Sequence, residues 1–158
     1  LKLGLYGPII SQITKLFEQI GYIDKLRELN LSFKFELVSL EEIECYANFI
    51  SFQKDLRSLE ITYDPPRLQV DNQLSFNTII NAIEEVTKLE HLKIIYRAKC
   101  SLGELFFRKF FATIFRLQSL RELYFNGRFE KIGNNTINWF VENIEHFKRY
   151  RSLELRPG

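Results

Sequence analysis

A parallel α/β solenoid, one helix–strand unit stacked on the next within a single domain over residues 1–158, is the fold class that this sequence predicts. Three observations predict it. First, segments of the form L-x-x-L-x-L recur at Leu26–Leu31, Leu56–Ile61, Leu89–Ile94 and Leu120–Phe125, with Tyr150–Leu155 as a fifth that opens on tyrosine. Second, their central leucines, Leu29, Leu59, Leu92, Leu123 and Leu153, are spaced by 30, 33, 31 and 30 residues. Third, an isoleucine stands nine residues before each of them, at Ile20, Ile50, Ile83, Ile114 and Ile144.

The region upstream of each strand segment is helical in its spacing. Three residues before the isoleucines come Phe17, Ala47, Ile80, Phe111 and Val141; four before come Leu16, Tyr46, Ile79, Phe110 and Phe140; seven before come Ile13, Ile43, Phe76, Phe107 and Ile137. Offsets of three, four and seven trace one face of an α-helix. Helices are therefore expected near 9–20, 40–51, 76–86, 102–115 and 136–147, and strands near 1–5, 27–32, 57–62, 90–96, 121–125 and 151–155. Ser39 with Glu42, and Ser101 with Glu104, have capping-box spacing, while Ser75 and Asn134 or Asn135 suit two further helix starts. Leu1, Leu3 and Leu5 read as the strand of a leading, incomplete unit. No single unit buries its own apolar stripe, so neighbours must cover it.

Composition narrows the function classes. The net charge of +2 lacks the strong positive excess that phosphate neutralisation favours, so nucleic acid is not an expected partner. No apolar run reaches the roughly 18 residues of a membrane span, and no membrane association is expected. Cys45 and Cys100 are too few to staple a chain of this size; they suit a reducing, cytoplasmic setting or are simply two uninvolved thiols. Methionine is absent, so the chain reads as a segment of a larger protein. The triplets Asn30-Leu31-Ser32 and Asn134-Asn135-Thr136 match the glycosylation pattern, but the first falls in a strand segment.

The segments LRELNL, LRSLEI and LRELYF, each behind a full helical stretch, resemble leucine-rich repeats of the ribonuclease-inhibitor-like class, over essentially the whole chain. The resemblance implies a right-handed solenoid bent into a horseshoe, with the parallel β-sheet on the concave face and the α-helices on the convex face. In function it implies protein binding, since the class includes enzyme inhibitors, ubiquitin-ligase substrate receptors, GTPase regulators and components of large assemblies. One feature departs from the family. The Asn or Cys that often follows the strand is replaced by Phe33, Tyr63, Tyr96, Gly127 and Pro157, so aromatic packing is expected to substitute for a side-chain ladder in part of the stack.

Strand alternation places the residues flanking each central leucine on the concave face. One row is Glu28, Ser58, His91, Glu122 and Ser152; the next is Asn30, Glu60, Lys93, Tyr124 and Glu154; the third is Ser32, Thr62, Ile95, Asn126 and Arg156. From these rows the candidate partner-binding residues are Glu28, Asn30, Glu60, Thr62, His91, Lys93, Ile95, Glu122, Tyr124, Asn126 and Glu154. A solvated sheet face is the plainer reading of the same mixed, mildly acidic surface. Asp64, Pro65, Pro66 and Arg67 form a second candidate, a rigid edge loop in the 33-residue unit. Arg27, Arg57, Arg121 and Arg151 line up either as an anion-binding ladder or, as expected for stems packed along a strand edge, as structure.

Catalytic chemistry has no sequence support. There is no glycine-rich phosphate loop, and His91 and His146 lack companions at metal-ligand spacing. No catalytic residue, cofactor or metal is expected. Trp139 beside Phe140 reads as helix-surface packing. The expected function is a protein-interaction scaffold or adaptor within a larger intracellular assembly, its stack ends continued by further repeats or covered by a partner. The alternative is a substrate-recognition arm of a ubiquitin-ligase receptor or of a kinase-linked repeat protein.

Overall fold

Apolar residues at every second position of each strand must all reach one side of the sheet, and this determines how the chain is laid down. The computed structural model describes residues 2–6, 15, 17–19, 26–34, 40–64, 72–97, 102–129 and 132–157. Six strands form one parallel sheet in chain order: β1 (Lys2–Tyr6), β2 (Glu28–Lys34), β3 (Ser58–Asp64), β4 (His91–Tyr96), β5 (Glu122–Gly127) and β6 (Ser152–Pro157). Between them run α1 (Leu40–Phe52), α2 (Asn72–Glu84), α3 (Glu104–Arg116) and α4 (Asn134–Glu142), the last followed by a 3₁₀ helix over Ile144–Arg149. Residues 15 and 17–19, between β1 and β2, are also helical. Sequential parallel order requires a crossover for each added strand, and a helix supplies it.

The register matches the sequence columns. Leu29, Leu59, Leu92, Leu123 and Leu153 face one another across successive strand pairs. Along β3 burial alternates residue by residue, with Leu59, Ile61 and Tyr63 inward. Those inward side chains join the helix residues Ile43, Tyr46, Ile50, Phe76, Ile79, Ile83, Phe110, Phe111 and Ile114 in one buried cluster. Successive helices pack against each other, α1 on α2, α2 on α3 and α3 on α4. The molecule thus has two layers, helices over one sheet face, with the other sheet face open.

The isoleucine column has a backbone role as well as a packing one. The carbonyls of Ile50, Ile83 and Ile114 accept from the amides of Gln53, Val86 and Leu117, at 3.0, 3.0 and 3.2 Å. The carbonyls of those three residues then accept from Leu56, Leu89 and Leu120, each at 3.1 Å. This repeated double turn ends the helix and delivers the chain to the strand. It keeps the helix-to-strand step constant although the overall period varies.

The helix boundaries depart from expectation in three places. First, α2 begins at Asn72, so Ser75 lies inside its first turn and does not cap it. A serine cap satisfies one first-turn donor, whereas starting the helix earlier supplies further backbone bonds in its place. Second, Gly103 and Gly133 hold the N-cap positions of α3 and α4 without side-chain caps, so Asn134 and Asn135 lie within α4. Glu104 does not close a capping box; its carboxylate accepts from Gly133 N at 3.2 Å and from the Thr136 hydroxyl, in the next unit. Ser39 and Ser101 lie outside the described residues. Third, the helix expected over 136–147 breaks at Asn143, whose side-chain amide donates to the Trp139 carbonyl at 2.7 Å. An Asn side chain that bonds nearby backbone in this way competes with helix continuation.

The aromatic column replaces a polar ladder as expected where it is described. Tyr63 and Tyr96 are buried with rings stacked at 5.7 Å, and Phe76 packs at 5.4 Å from Tyr63 and 5.0 Å from Tyr96. Gly127 follows in the same column because a Cβ there would come within 2.7 Å of the Phe125 ring.

Burying a large aliphatic side chain contributes about 1.5–3 kcal/mol, and an unpaired charge in its place adds a further penalty. Ile83→Asp, at a fully buried site, is therefore expected to cost roughly 4 kcal/mol or more. Ile144→Asp, in the same column but exposed, should cost less than about 1 kcal/mol. Equilibrium urea unfolding of the two variants checks this, and equal losses would refute the difference in burial between the two sites.

Candidate functional site

The open sheet face is built by the residues that alternate with the buried columns. All eleven face residues singled out from the sequence lie in β2–β6, and all are at least partly exposed. Their rows are in register: Glu28, Ser58, His91, Glu122 and Ser152 align across neighbouring strands, as do Asn30, Glu60, Lys93, Tyr124 and Glu154. Strands about 4.8 Å apart make same-row side chains direct neighbours.

The rows are cross-linked by charge. Lys93 Nζ lies 2.9 Å from Glu60 Oε1 and 5.8 Å from the centre of the Tyr124 ring, close enough for a cation–π contact. His91 Nδ1 lies 2.9 Å from Glu122 Oε2. Each base of the two central rows thus sits against a carboxylate. Such a surface presents alternating charge and one aromatic ring, unlike the run of unpaired cations that a phosphate backbone requires. From Ser58 and Glu60 across to Ser152 and Glu154 the face dips into a shallow depression of about 330 Å3. Among the described residues no three His, Cys, Asp or Glu side chains group to hold a metal.

The arginine column turns out to border the sheet. The backbone carbonyls of Arg27, Arg57, Glu90 and Arg121 each accept two amide bonds from the following unit, at 2.7 to 3.3 Å. Arg57 Nη1 bonds Glu90 Oε1 at 2.7 Å, one unit away, and Arg121 Nη1 donates to the carbonyls of Gln118 and Leu120. Of the expected edge loop, Asp64 closes β3, and Pro65, Pro66 and Arg67 lie outside the described residues.

Three features were missed by sequence reasoning. Arg149 reaches back to the end of α3, donating to the carbonyls of Ile114 and Phe115 at 3.0 and 2.7 Å, a favourable place for a cation at a helix C-terminus. His146 lies in the 3₁₀ helix with its ring stacked 4.8 Å from Phe115. On the helix side, Phe17 and Phe49 stack at 4.2 Å beside the exposed Phe52, lining an apolar depression of about 470 Å3. Each depends on contacts roughly one repeat apart or between helices, which no local pattern encodes. Trp139 does pack as read, with its ring 6.0 Å from Phe115.

The groups whose titration is displaced lie away from the open face. The Thr136 hydroxyl and the Gly133 amide, both hydrogen-bonded to Glu104, hold its carboxyl below the usual carboxylate value. Burial of the Tyr150 phenol raises its pKa, against the opposing pull of Arg149. Both are accounted for by packing between units. Among the described residues no helix is long and apolar enough to cross a membrane. Comparison with family models, with curated proteins and with solved structures finds no match to this chain.

A carboxyl whose pKa is depressed by folding adds stability above its unfolded pKa, and that stability is lost as pH falls through the folded value. Glu104→Gln is therefore expected to flatten the loss of stability below about pH 4.5 while lowering stability at neutral pH. Urea midpoints measured between neutral pH and about pH 3 test the link; parallel curves for the variant and the parent would show that Glu104 contributes nothing to it.

Proposed function

We propose that this chain is a leucine-rich repeat scaffold of the ribonuclease-inhibitor-like class that binds a protein partner within an assembly inside the cell. In this reading the stack is a right-handed horseshoe, its sheet lines the concave side, and the partner lies across the rows from Glu28 to Glu154. The chain contributes binding and no reaction of its own.

The observation that carries the reading is the unbroken register of the open face. Five parallel pairings hold their rows in line without a slip. Within these rows Glu60, His91, Lys93, Glu122 and Tyr124 each meet a charged or aromatic neighbour. Side chains ordered beforehand lose little entropy on association, which favours recognition by such a face. Tyrosine is also enriched among the residues that anchor protein interfaces.

The test uses a partner isolated on the immobilised chain and then titrated in purified form. Lys93→Ala combined with Tyr124→Ala should weaken its affinity at least about tenfold, a loss of some 1.4 kcal/mol, with an unchanged Tm. Leu105→Ala, exposed on the helix side, should leave affinity intact. Equal binding by the double variant and the parent would refute the open-face reading.

A further inference from the structure

The charges that line the depression in the open face run against the balance of the chain. In the whole sequence Lys and Arg outnumber Asp and Glu by 22 to 20. The lining instead sets the carboxylates of Glu60, Glu122 and Glu154 against the ammonium of Lys93, and its histidine, His91, already lies 2.9 Å from Glu122. Tyr124 shares this lining. Its row neighbours are Lys93 on β4 and Glu154 on β6, and Glu122 lies two residues before it on the same side of β5. The chain itself shows what this ring takes. On the β4 side Lys93 Nζ sits 2.9 Å from Glu60 Oε1 and 5.8 Å from the centre of the Tyr124 ring, a cation held by a carboxylate and an aromatic face. On the β6 side the ring again has a carboxylate beside it, Glu154, and here the row supplies no lysine.

We propose that the open face takes an arginine side chain from its protein partner, seated on the Tyr124 ring between Glu122 and Glu154. The proposal rests on the open-face reading and adds the chemistry of the partner to it. A guanidinium fits this place for three reasons. It is flat and stacks on an aromatic ring. Its donors form a fork that matches a carboxylate, and two carboxylates flank the ring. It also brings positive charge to a lining in which three carboxylates face one ammonium. A lysine meets the last demand but has no flat fork, and an acidic segment is repelled. The depression, at about 330 Å3, is at the small end of ligand sites, which suits an inserted side chain carried by an exposed partner segment.

The probe is a five-residue peptide with arginine at its second and fourth positions, serine elsewhere and both ends blocked. It is titrated into the full, isotope-labelled chain at low ionic strength, where exposed charges are least screened, and backbone amide shifts report binding. The expected result is saturable shifts centred on Tyr124 and Glu154. Glu122→Gln with Glu154→Gln should weaken binding at least about fivefold, as should Tyr124→Leu, whereas Tyr124→Phe keeps the ring and the affinity. Lys93→Ala removes a competing cation and should bind the peptide at least as tightly as the parent. Amide spectra outside β5 and β6 should match the parent in every variant, which separates a lost site from a lost fold. A lysine counterpart of the peptide should bind more weakly, and a glutamate counterpart should not bind. The proposal is overturned by the absence of saturable shifts up to about 10 mM arginine peptide. Equal binding of the lysine or glutamate peptide overturns it too, as does undiminished binding by the Glu122→Gln, Glu154→Gln variant. Should it fail while Lys93→Ala with Tyr124→Ala still weakens the isolated partner, the open face stands and only its arginine site is lost. An isolated partner indifferent to that double variant refutes the open face itself.

Discussion

The structure depends on one constraint: no helix–strand unit can bury its own apolar stripe. A helix carrying Phe76, Ile79, Ile80 and Ile83 and a strand carrying Leu92 and Ile94 meet along only part of their surfaces. The remainder must be covered by the next unit, and here it is covered so well that all six are buried. Stability in such an architecture resides in the interfaces between units as much as in the units themselves. The parallel sheet, the helix layer and the repeated turn at the isoleucine carbonyl all follow from keeping those interfaces equivalent.

Two kinds of contact complete the interfaces. Aromatic rings run through the stack without a break in its later part, from Tyr63 through Phe76 and Phe106 to Phe110, and on to Phe125 and Phe129. Aromatic pairs add about 0.5–1.5 kcal/mol each beyond the area they bury. At the surface, charges join neighbouring units: Lys54 to Glu85, Lys88 to Asp55 and Arg116 to Glu84. Exposed pairs of this kind contribute little individually. Their regular spacing reinforces the register and does not create it.

The demands of stacking fall on one side of each strand, and this leaves the other side to function. Glu60, Lys93 and Tyr124 lie on the open side of the sheet, and strand pairing sets them in one row just as it does the leucines behind them. The same logic separates the arginine column from the open face, since Arg57 and Arg121 are committed to the entry of the sheet.

The leucine and isoleucine columns were legible because burial recurs with a period, and a period survives in sequence. From them the sequence by itself determined the unit, its helix and strand, the register and the eleven open-face positions. Local start signals were poorer guides. Ser75 and Asn134 have the right chemistry for caps, but α2 begins earlier and Gly133 precedes α4, because a helix end is settled by what packs beside it. Contacts one repeat apart, such as Glu104 with Thr136 and Arg149 with the end of α3, left no trace in either segment alone. The isoleucine column marks the boundary most clearly. Ile114 and Ile144 occupy the same position in the repeat, yet one is sealed and the other half exposed. Sequence specifies which side chain seeks cover; only the tertiary structure decides whether a neighbouring unit is there to provide it, because burial belongs to the pair of surfaces and not to either one.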